Sequence, residues 1–432
     1  MEQVGLAIVG STGVIGKTHI EAIAQLSSCR LVGVNARRQE PLVQQASELG
    51  VKAYPTLVDV LSDSEVDAIV IATPHPSHRD ITIQAVEAGK HVLTEKPMSV
   101  TPSEADDMVE AARRSVATLG VLFNNRFRPE AIKMRELIDQ GAIGKIYRAT
   151  MTSAMFRTQD YYDRLDWRGT WQDEGGGALI NQGIHAIDMF QWLAGMPQSV
   201  FGVVRTLKHT VEVEDYASAI LEYEGGVLGT LHCDTVQAPN QQRIEIFGEN
   251  GALIMDDWNV TLHRLKTPVQ EFLETDKTIK FIAPESEAET FKFEVVGGAH
   301  ASAIDDFALA ILEGREPAIT GEDGARSQEL VAAITLSGCR GEKVSLPVDR
   351  SDYDGLMEEL RRTRKLPGDQ TAFKKQGEFS GPVFAMMSGA KYLVAELQQF
   401  VLECEILLLR SQIDVDIWPT EPRPRGCRAR MC

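Results

Sequence analysis

Gly89-Lys90-His91-Val92-Leu93-Thr94-Glu95-Lys96-Pro97 is the stretch on which the fold turns. Apolar, β-branched residues up to Leu93 mark a buried strand. The charged pair Glu95-Lys96 ends it where an α/β sheet opens a crevice at the carboxyl ends of its strands. Pro97 fixes its own φ, and a Lys-Pro bond adopts the cis form at modest cost, so the turn can hold Lys96 in one direction. An ordinary solvated strand end would use the same residue types, and the flanking segments decide between the two.

The chain has 432 residues, 43% of them hydrophobic, and a formal net charge of −18. Such a length suits about two or three domains with a sizeable core. The charge repels phosphate backbones and anionic lipid, so no nucleic acid and no membrane surface is expected as a partner. Met1-Glu2-Gln3 leads straight into a strand without the basic and apolar regions of a signal peptide, which points to the cytoplasm. Cys29, Cys233, Cys339, Cys404, Cys427 and Cys432 are scattered with no CxxC pair, so neither a disulfide framework nor a zinc site is suggested.

Upstream of the opening stretch, Val4-Gly5-Leu6-Ala7-Ile8-Val9 reads as a buried strand, then Gly10-Ser11-Thr12-Gly13-Val14-Ile15-Gly16 as a turn before a helix from Lys17 to Gln25. Strand, glycine turn and helix in that order form a cradle for a dinucleotide pyrophosphate at a helix N-terminus. The spacing G-x-x-G-x-x-G is one residue longer than the usual fingerprint. The next strand, Arg30-Leu31-Val32-Gly33-Val34, ends at Asn35-Ala36-Arg37-Arg38, with no acid for the ribose hydroxyls. Asn35, Arg37 and Arg38 suit a 2′-phosphate instead, favouring NADP over NAD. A helix over Glu40–Leu49, strand Lys52–Tyr54, helix Leu57–Leu61 and strand Ala68–Ala72 continue the alternation. Thr73-Pro74-His75-Pro76-Ser77-His78 then forms a turn along the carboxyl edge of the sheet, before a helix to Ala88. His75 and His78 have no third ligand nearby, so turn and capping roles beside the cofactor are expected and no metal.

Downstream come a helix from Pro102 to Arg114, a strand at Leu119–Phe123, and Asn124-Asn125-Arg126-Phe127-Arg128 before a helix over Pro129–Gln140. Asn124, Arg126 and Arg128 fall near the crevice mouth, as substrate contacts or as hinge ion pairs. Tyr161-Tyr162-Asp163-Arg164-Leu165-Asp166-Trp167-Arg168-Gly169-Thr170-Trp171 mixes aromatic faces with charges, a pattern suited to polyol recognition. After Gly175-Gly176-Gly177, the residues Asn181, His185 and Asp188 recur at i, i+4 and i+7, which places them on one helical face. Histidine titrates near neutrality, so His185 can accept an alcohol proton while Asn181 orients it or the substrate. Strands are expected at Ser199–Val204, Asp215–Tyr223, Val227–Asp234, Gln242–Gly248 and Gly251–Asp256, joined in part by tight turns in a mostly antiparallel sheet. Helices at His300–Glu313 and Gly324–Arg340 and a strand at Glu342–Val348 follow.

Thr73-Pro74…His78, Ala88-Gly89-Lys90-His91-Val92 and Glu95-Lys96-Pro97 together resemble the Gfo/Idh/MocA oxidoreductases, and the likeness runs from about Val4 to about Val348. The resemblance implies an α/β fold: an N-terminal Rossmann dinucleotide-binding domain (residues 1–123) and a C-terminal α+β substrate and oligomerisation domain (124–362) with a large, mostly antiparallel sheet. It implies hydride transfer between a hydroxyl carbon of a sugar, inositol or sugar derivative and NADP or NAD. Relatives that are NAD-dependent glycosidases or non-enzymatic regulators set the alternatives. Lys96 would contact the reacting hydroxyl and His185 serve as acid/base, with Asn181 where the family's D-x-G-x-H motif has an aspartate, so a role needing a carboxylate there is in doubt. The cofactor would lie on Gly10, Ser11, Thr12, Gly13, Val14, Ile15, Asn35, Arg37, Arg38, Thr73, Pro74, His75, His78, Glu95 and Lys96. Arg126, Trp167, Arg168, Asn181 and His185 would meet the substrate. An open sheet face must be covered, and in the family it pairs between subunits, so a homo-oligomer, dimer or tetramer, is expected.

Residues 363–432 lie outside the resemblance. Leu393, Leu397, Phe400, Cys404, Leu407 and Leu408 keep helical spacing, with too many interspersed charges for a membrane span.

Overall fold

A computed structural model describes residues 2–275, 281–294 and 299–367. The helical pattern anticipated at 393–408 lies outside the described residues.

β1 (Val4–Val9), α1 (Val14–Ile23), β2 (Cys29–Asn35), α2 (Gln39–Leu49), β3 (Lys52–Tyr54), α3 (Leu57–Ser62), β4 (Ala68–Ile71), α4 (His78–Glu87), β5 (His91–Thr94), α5 (Pro102–Arg113) and β6 (Leu119–Val121) alternate along the chain. The six strands form a parallel sheet in the order β3-β2-β1-β4-β5-β6. β1 and β4 are buried along their whole length, as strands with both faces covered must be. Strand order reverses between β1 and β4, and at that switch point a ligand crevice opens beyond the carboxyl ends. Register aligns Val9 with Ile71 and Ile71 with Thr94. Gly10, Ala72 and Glu95 therefore follow three neighbouring strand ends.

Next come α6 (Pro129–Asp139), β7 (Ile146–Ala154), α7 (Gln159–Asp163), α8 (Ile184–Ala194), β8 (Ser199–Arg205), β9 (Tyr216–Glu222), β10 (Leu228–Asp234), β11 (Gln241–Gly248), β12 (Gly251–Asp256), β13 (Asn259–Leu265), α9 (Val269–Thr275) and β14 (Ser286–Phe291). With β15 (Val344–Ser345) the strands make a nine-stranded sheet, ordered β14-β13-β12-β11-β7-β10-β9-β8-β15. Every pair is antiparallel except β7 with β10. β7, at the centre of the sheet, has no counterpart among the strands expected from the sequence, and the expected Glu342–Val348 strand shrinks to two residues.

α10 (His300–Glu313) returns to the first sheet, burying Ala303, Ile304, Phe307 and Ala308 with Leu6, Ile8 and Leu93. Burial of an aromatic such as Phe307 contributes roughly 1.5–3 kcal/mol. α11 (Gly321–Arg340), started by a Thr320/Asp323 capping box, packs on the second sheet, and Gly202 N donates to Ser337 Oγ at 2.8 Å. α12 (Arg350–Thr363) buries Tyr353, Leu356, Met357 and Leu360. The opposite face of the second sheet leaves Phe201, Ile220 and Leu228 exposed, with Phe201 directly across from Ile220.

Candidate active site

Beyond β1 and β4 lies a groove of about 1000 Å³, bordered by Gly10, Thr12, Gly13, Arg37, Arg38, Thr73, Pro74 and, from the other half of the chain, Leu165, Asp166 and Trp167. Gly10 has φ +94°, and a Cβ there would stand 2.5 Å from Ala72 O, so only glycine lets the turn pass so close to β4. α1 starts at Val14 with no side-chain cap and no acid in its first turn, leaving its first N–H groups for an anion. Arg37 and Arg38 are exposed and have no acidic partner among the described residues. An uncapped helix end beyond a close glycine turn fits the pyrophosphate of a dinucleotide.

Deeper in the crevice, Lys96 follows β5, and the Lys96–Pro97 bond is cis. Lys96 Nζ donates to Asn181 O at 3.1 Å and lies 3.5 Å from Asn181 Oδ1. Burial lowers its proton affinity; the charges of Glu95 and Glu174 oppose that, and Arg157 adds to it. Glu95 does not face the groove. Its Oε1 meets His19 Nε2 at 2.8 Å and its Oε2 accepts from Lys96 N at 3.0 Å. Burial alone would raise the Glu95 carboxyl, but the His19 bond and the charges of His19, Lys96 and His185 hold it at about 2.

The opposite wall is irregular backbone. Residues Ala178–Gly183 form a π-helical turn ahead of α8, so Asn181 and His185 do not lie on one continuous α-helix as their spacing suggests. Two buried carboxylates shape this turn. Glu214 Oε1 accepts from Gly177 N and Leu179 N, each at 3.0 Å, and a Cβ on Gly177 would sit 1.9 Å from Glu214 O. Glu174 Oε1 accepts from Asn181 Nδ2 in a short bond, and Glu174 Oε2 accepts from Gly169 N at 2.5 Å. Burial raises both carboxyls to about 7. For Glu174 the Gly169 and Asn181 bonds work against that rise. Because Asn181 donates to Glu174, its oxygens are turned toward Lys96. The ammonium thus rests on neutral oxygens.

His185 presents a buried Nδ1 with no partner and packs edge-on against Phe123, with ring centroids 6.0 Å apart. Burial first, then the Lys96 charge, push its pKa down to about 3. The imidazole is therefore neutral near pH 7, the state a proton acceptor requires.

Several residues stand elsewhere than the sequence suggests. For Arg126, open between substrate contact and ion pair, the structure shows the ion pair: its Nε and Nη2 donate to Asp188 at 2.8 and 2.7 Å, and Asp323 lies 3.5 Å away. That pairing also removes Asp188 from the face expected to carry Asn181 and His185. Ser11 Oγ is buried and donates to Gln45 Oε1 at 2.7 Å, which takes its side chain out of the groove. The Asn35 amide donates to Tyr54 O at 2.8 Å, so it is engaged within the sheet, while Arg37 and Arg38 border the groove. His75 Nδ1 contacts Glu174 O at 3.0 Å, and His78 bridges Thr73 O and Pro97 O at 2.8 and 2.9 Å. Both histidines brace the crevice loops from behind, without facing the groove. Val14 and Ile15 can offer only their N–H groups, at the start of α1. Trp167 lines the cofactor groove, its ring 5.6 Å from that of His75. Arg168 lies over the Tyr161 ring. The sequence pattern does not reveal Glu174 or Glu214: a carboxylate beside a glycine run, or in the acidic run Glu212–Asp215, reads as solvated until tertiary burial is known.

The profile described as "Oxidoreductase family, NAD-binding Rossmann fold" matches residues 4–123, and "GFO/IDH/MocA C-terminal domain" matches residues 131–254. The chain is 26% identical over 330 residues to the myo-inositol 2-dehydrogenase of Thermotoga maritima, covering 74% of this chain and 91% of that one. It is 25% identical over 295 residues to the scyllo-inositol 2-dehydrogenase (NADP(+)) of Bacillus subtilis, covering 65% and 79%. The solved WlbA dehydrogenase of Bordetella pertussis, in complex with NADH and UDP-GlcNAcA, is 30% identical with a TM-score of 0.67, covering 80% of this chain and 100% of that one. The chain belongs to the Gfo/Idh/MocA family and is an oxidoreductase with an NAD-binding Rossmann fold.

Proposed function

We propose that this chain moves a hydride between a CH–OH carbon of a sugar, inositol or sugar derivative and the nicotinamide of NADP, with NAD as the lesser partner. The observation that carries this reading is the meeting of Lys96 with Asn181, next to His185, at the switch-point crevice and alongside a groove fit for a dinucleotide. Bound there, the dinucleotide supplies the hydride acceptor. Lys96 donates a hydrogen bond to the reacting oxygen and stabilises the negative charge that develops as the hydroxyl proton departs. His185, neutral and with Nδ1 unpartnered, takes that proton. Asn181 orients Lys96, and Glu174 orients Asn181, acting as a positioning residue for the pair. Arg37 and Arg38, exposed and without acidic partners, favour the 2′-phosphate of NADP through charge-assisted bonds.

The exposed Phe201, Ile220 and Leu228 face is assigned to contact with a second copy of the chain, since an uncovered apolar sheet face invites pairing. Cys29, Cys233 and Cys339 are free thiols, in keeping with a cytoplasmic setting. No described helix is long and apolar enough to cross a membrane.

A panel of sugars, inositols and sugar acids offered with NADP and with NAD, followed at the absorbance band of reduced nicotinamide, tests the reading. Reduction with at least one member is expected, and the lower KM with NADP. Silence across the panel with both cofactors would remove it.

A further inference from the structure

The reaction as proposed leaves one concentration of charge beside Lys96 without a task. Arg157 and Arg168 both hold their guanidinium over the Tyr161 ring, 5.2 and 3.9 Å from its centroid. Tyr161 Oη accepts from Gln182 Nε2 at 3.1 Å, which ties this stack to the residue following Asn181. The Arg157 charge is near enough to Lys96 to disfavour its ammonium, and the Arg168 charge near enough to Glu174 to favour its carboxylate. Both guanidiniums are thus felt at the reacting end of the crevice.

Neither forms an ion pair with a carboxylate among the described residues. Arg157 Nη1 donates to Phe156 O at 3.0 Å and lies 3.5 Å from Met155 O. Arg168 Nη1 donates to Tyr161 O at 2.8 Å, and its Nε is buried without a partner. Glu95 is engaged by His19, and Glu174 by Asn181 and Gly169, so the nearby acids are already committed. In a chain of net charge −18, two unpaired arginines beside a lysine make a local positive field. A buried guanidinium N–H left unbonded is costly unless a ligand completes it, and the planar fork matches the oxygens of a carboxylate or a phosphate.

We infer that Arg157 and Arg168, held on the Tyr161 ring, form a subsite for an anionic group, a carboxylate or a phosphate, carried by the substrate. This rests on the dehydrogenase reading and narrows its substrate class to anionic sugar derivatives.

The test measures kcat/KM for substrates that differ at one carbon: D-glucose against D-glucuronate, D-galactose against D-galacturonate, and D-glucose 6-phosphate as the phosphate arm. The anionic member is expected to be preferred by about tenfold or more, as charge-assisted bonds would give. Preference for the uronates assigns a carboxylate, and preference for the 6-phosphate assigns a phosphate. Arg157→Gln and Arg168→Gln should reduce that preference by about tenfold through KM, with Arg157→Lys recovering part of it. Equal use of neutral and anionic members, or equal losses for both in the variants, overturns the subsite. If no member is turned over with either cofactor, the dehydrogenase reading is judged by the wider panel of sugars, inositols and sugar acids. The subsite is then judged by titration with D-glucuronate and D-glucose, followed by tryptophan fluorescence. Saturable change with glucuronate alone, lost in Arg157→Gln, upholds it, and identical responses to the two sugars overturn it.

Discussion

Lys96 hangs from the end of β5, whose Val92 and Leu93 are buried and whose neighbours β4 and β6 run parallel to it. Asn181, on the opposite wall, stands on a π-helical turn beside a glycine run, braced by the carboxylates of Glu174 and Glu214. One wall takes its geometry from a sheet ladder and core packing, which are insensitive to any single polar group. The other takes it from a few buried hydrogen bonds, which depend on the charge of the group that accepts them. The first wall therefore fixes a position, and the second tunes what the positioned group does.

Substitutions that remove the reacting groups break both walls alike. Lys96→Met and His185→Ala should each lower turnover by about tenfold to a hundredfold or more, with little change in cofactor affinity measured by titration. A wild-type rate in both variants would dissolve the two-wall account. Glu174→Gln keeps the volume and an oxygen for Asn181, so a smaller loss in kcat, about threefold to tenfold, is expected. Its sharper signature is in pH. Above about 7 the wild-type Glu174 becomes ionised and accepts more strongly from Asn181, so activity should climb through that range. The Gln variant should lose the share of that limb that Glu174 supplies and keep only the share from Glu214, whose carboxyl burial also raises to about 7. A limb retained in full in the variant would assign it to Glu214 or another group. The least effect is at the groove rim. Arg37→Ala with Arg38→Ala should raise the KM for NADP by about tenfold and move that for NAD by about twofold or less.

The first wall was legible in the sequence because parallel strands buried on both faces are written as unbroken apolar runs, such as Ala68–Ile71, between glycine and proline turns. β7 was not legible. Ile146–Ala154 has polar residues along its open face and no flanking turn signal strong enough to offset them. α12 hid for a similar reason: Tyr353, Leu356, Met357 and Leu360 keep helical spacing inside a heavily charged segment. At the site, Lys96 could be found because charge at a strand end is conspicuous. Glu174 could not, since nothing local distinguishes a buried carboxylate from a solvated one. Arg126 stayed open between substrate contact and ion pair because proximity to the crevice mouth is visible in sequence, whereas its capture by Asp188 is a tertiary fact. Asn181 was singled out as a departure from D-x-G-x-H, and the fold puts a carboxylate one residue further out, on Glu174.

The most direct test of hydride transfer at the Lys96 and His185 site uses a substrate deuterated at its reacting ring carbon, with the reduced cofactor weighed by mass spectrometry. Direct transfer predicts that the reduced nicotinamide gains one mass unit with the wild-type enzyme, and more slowly but equally labelled with Lys96→Met. Reduced cofactor without the label, or label lost to solvent, would contradict it.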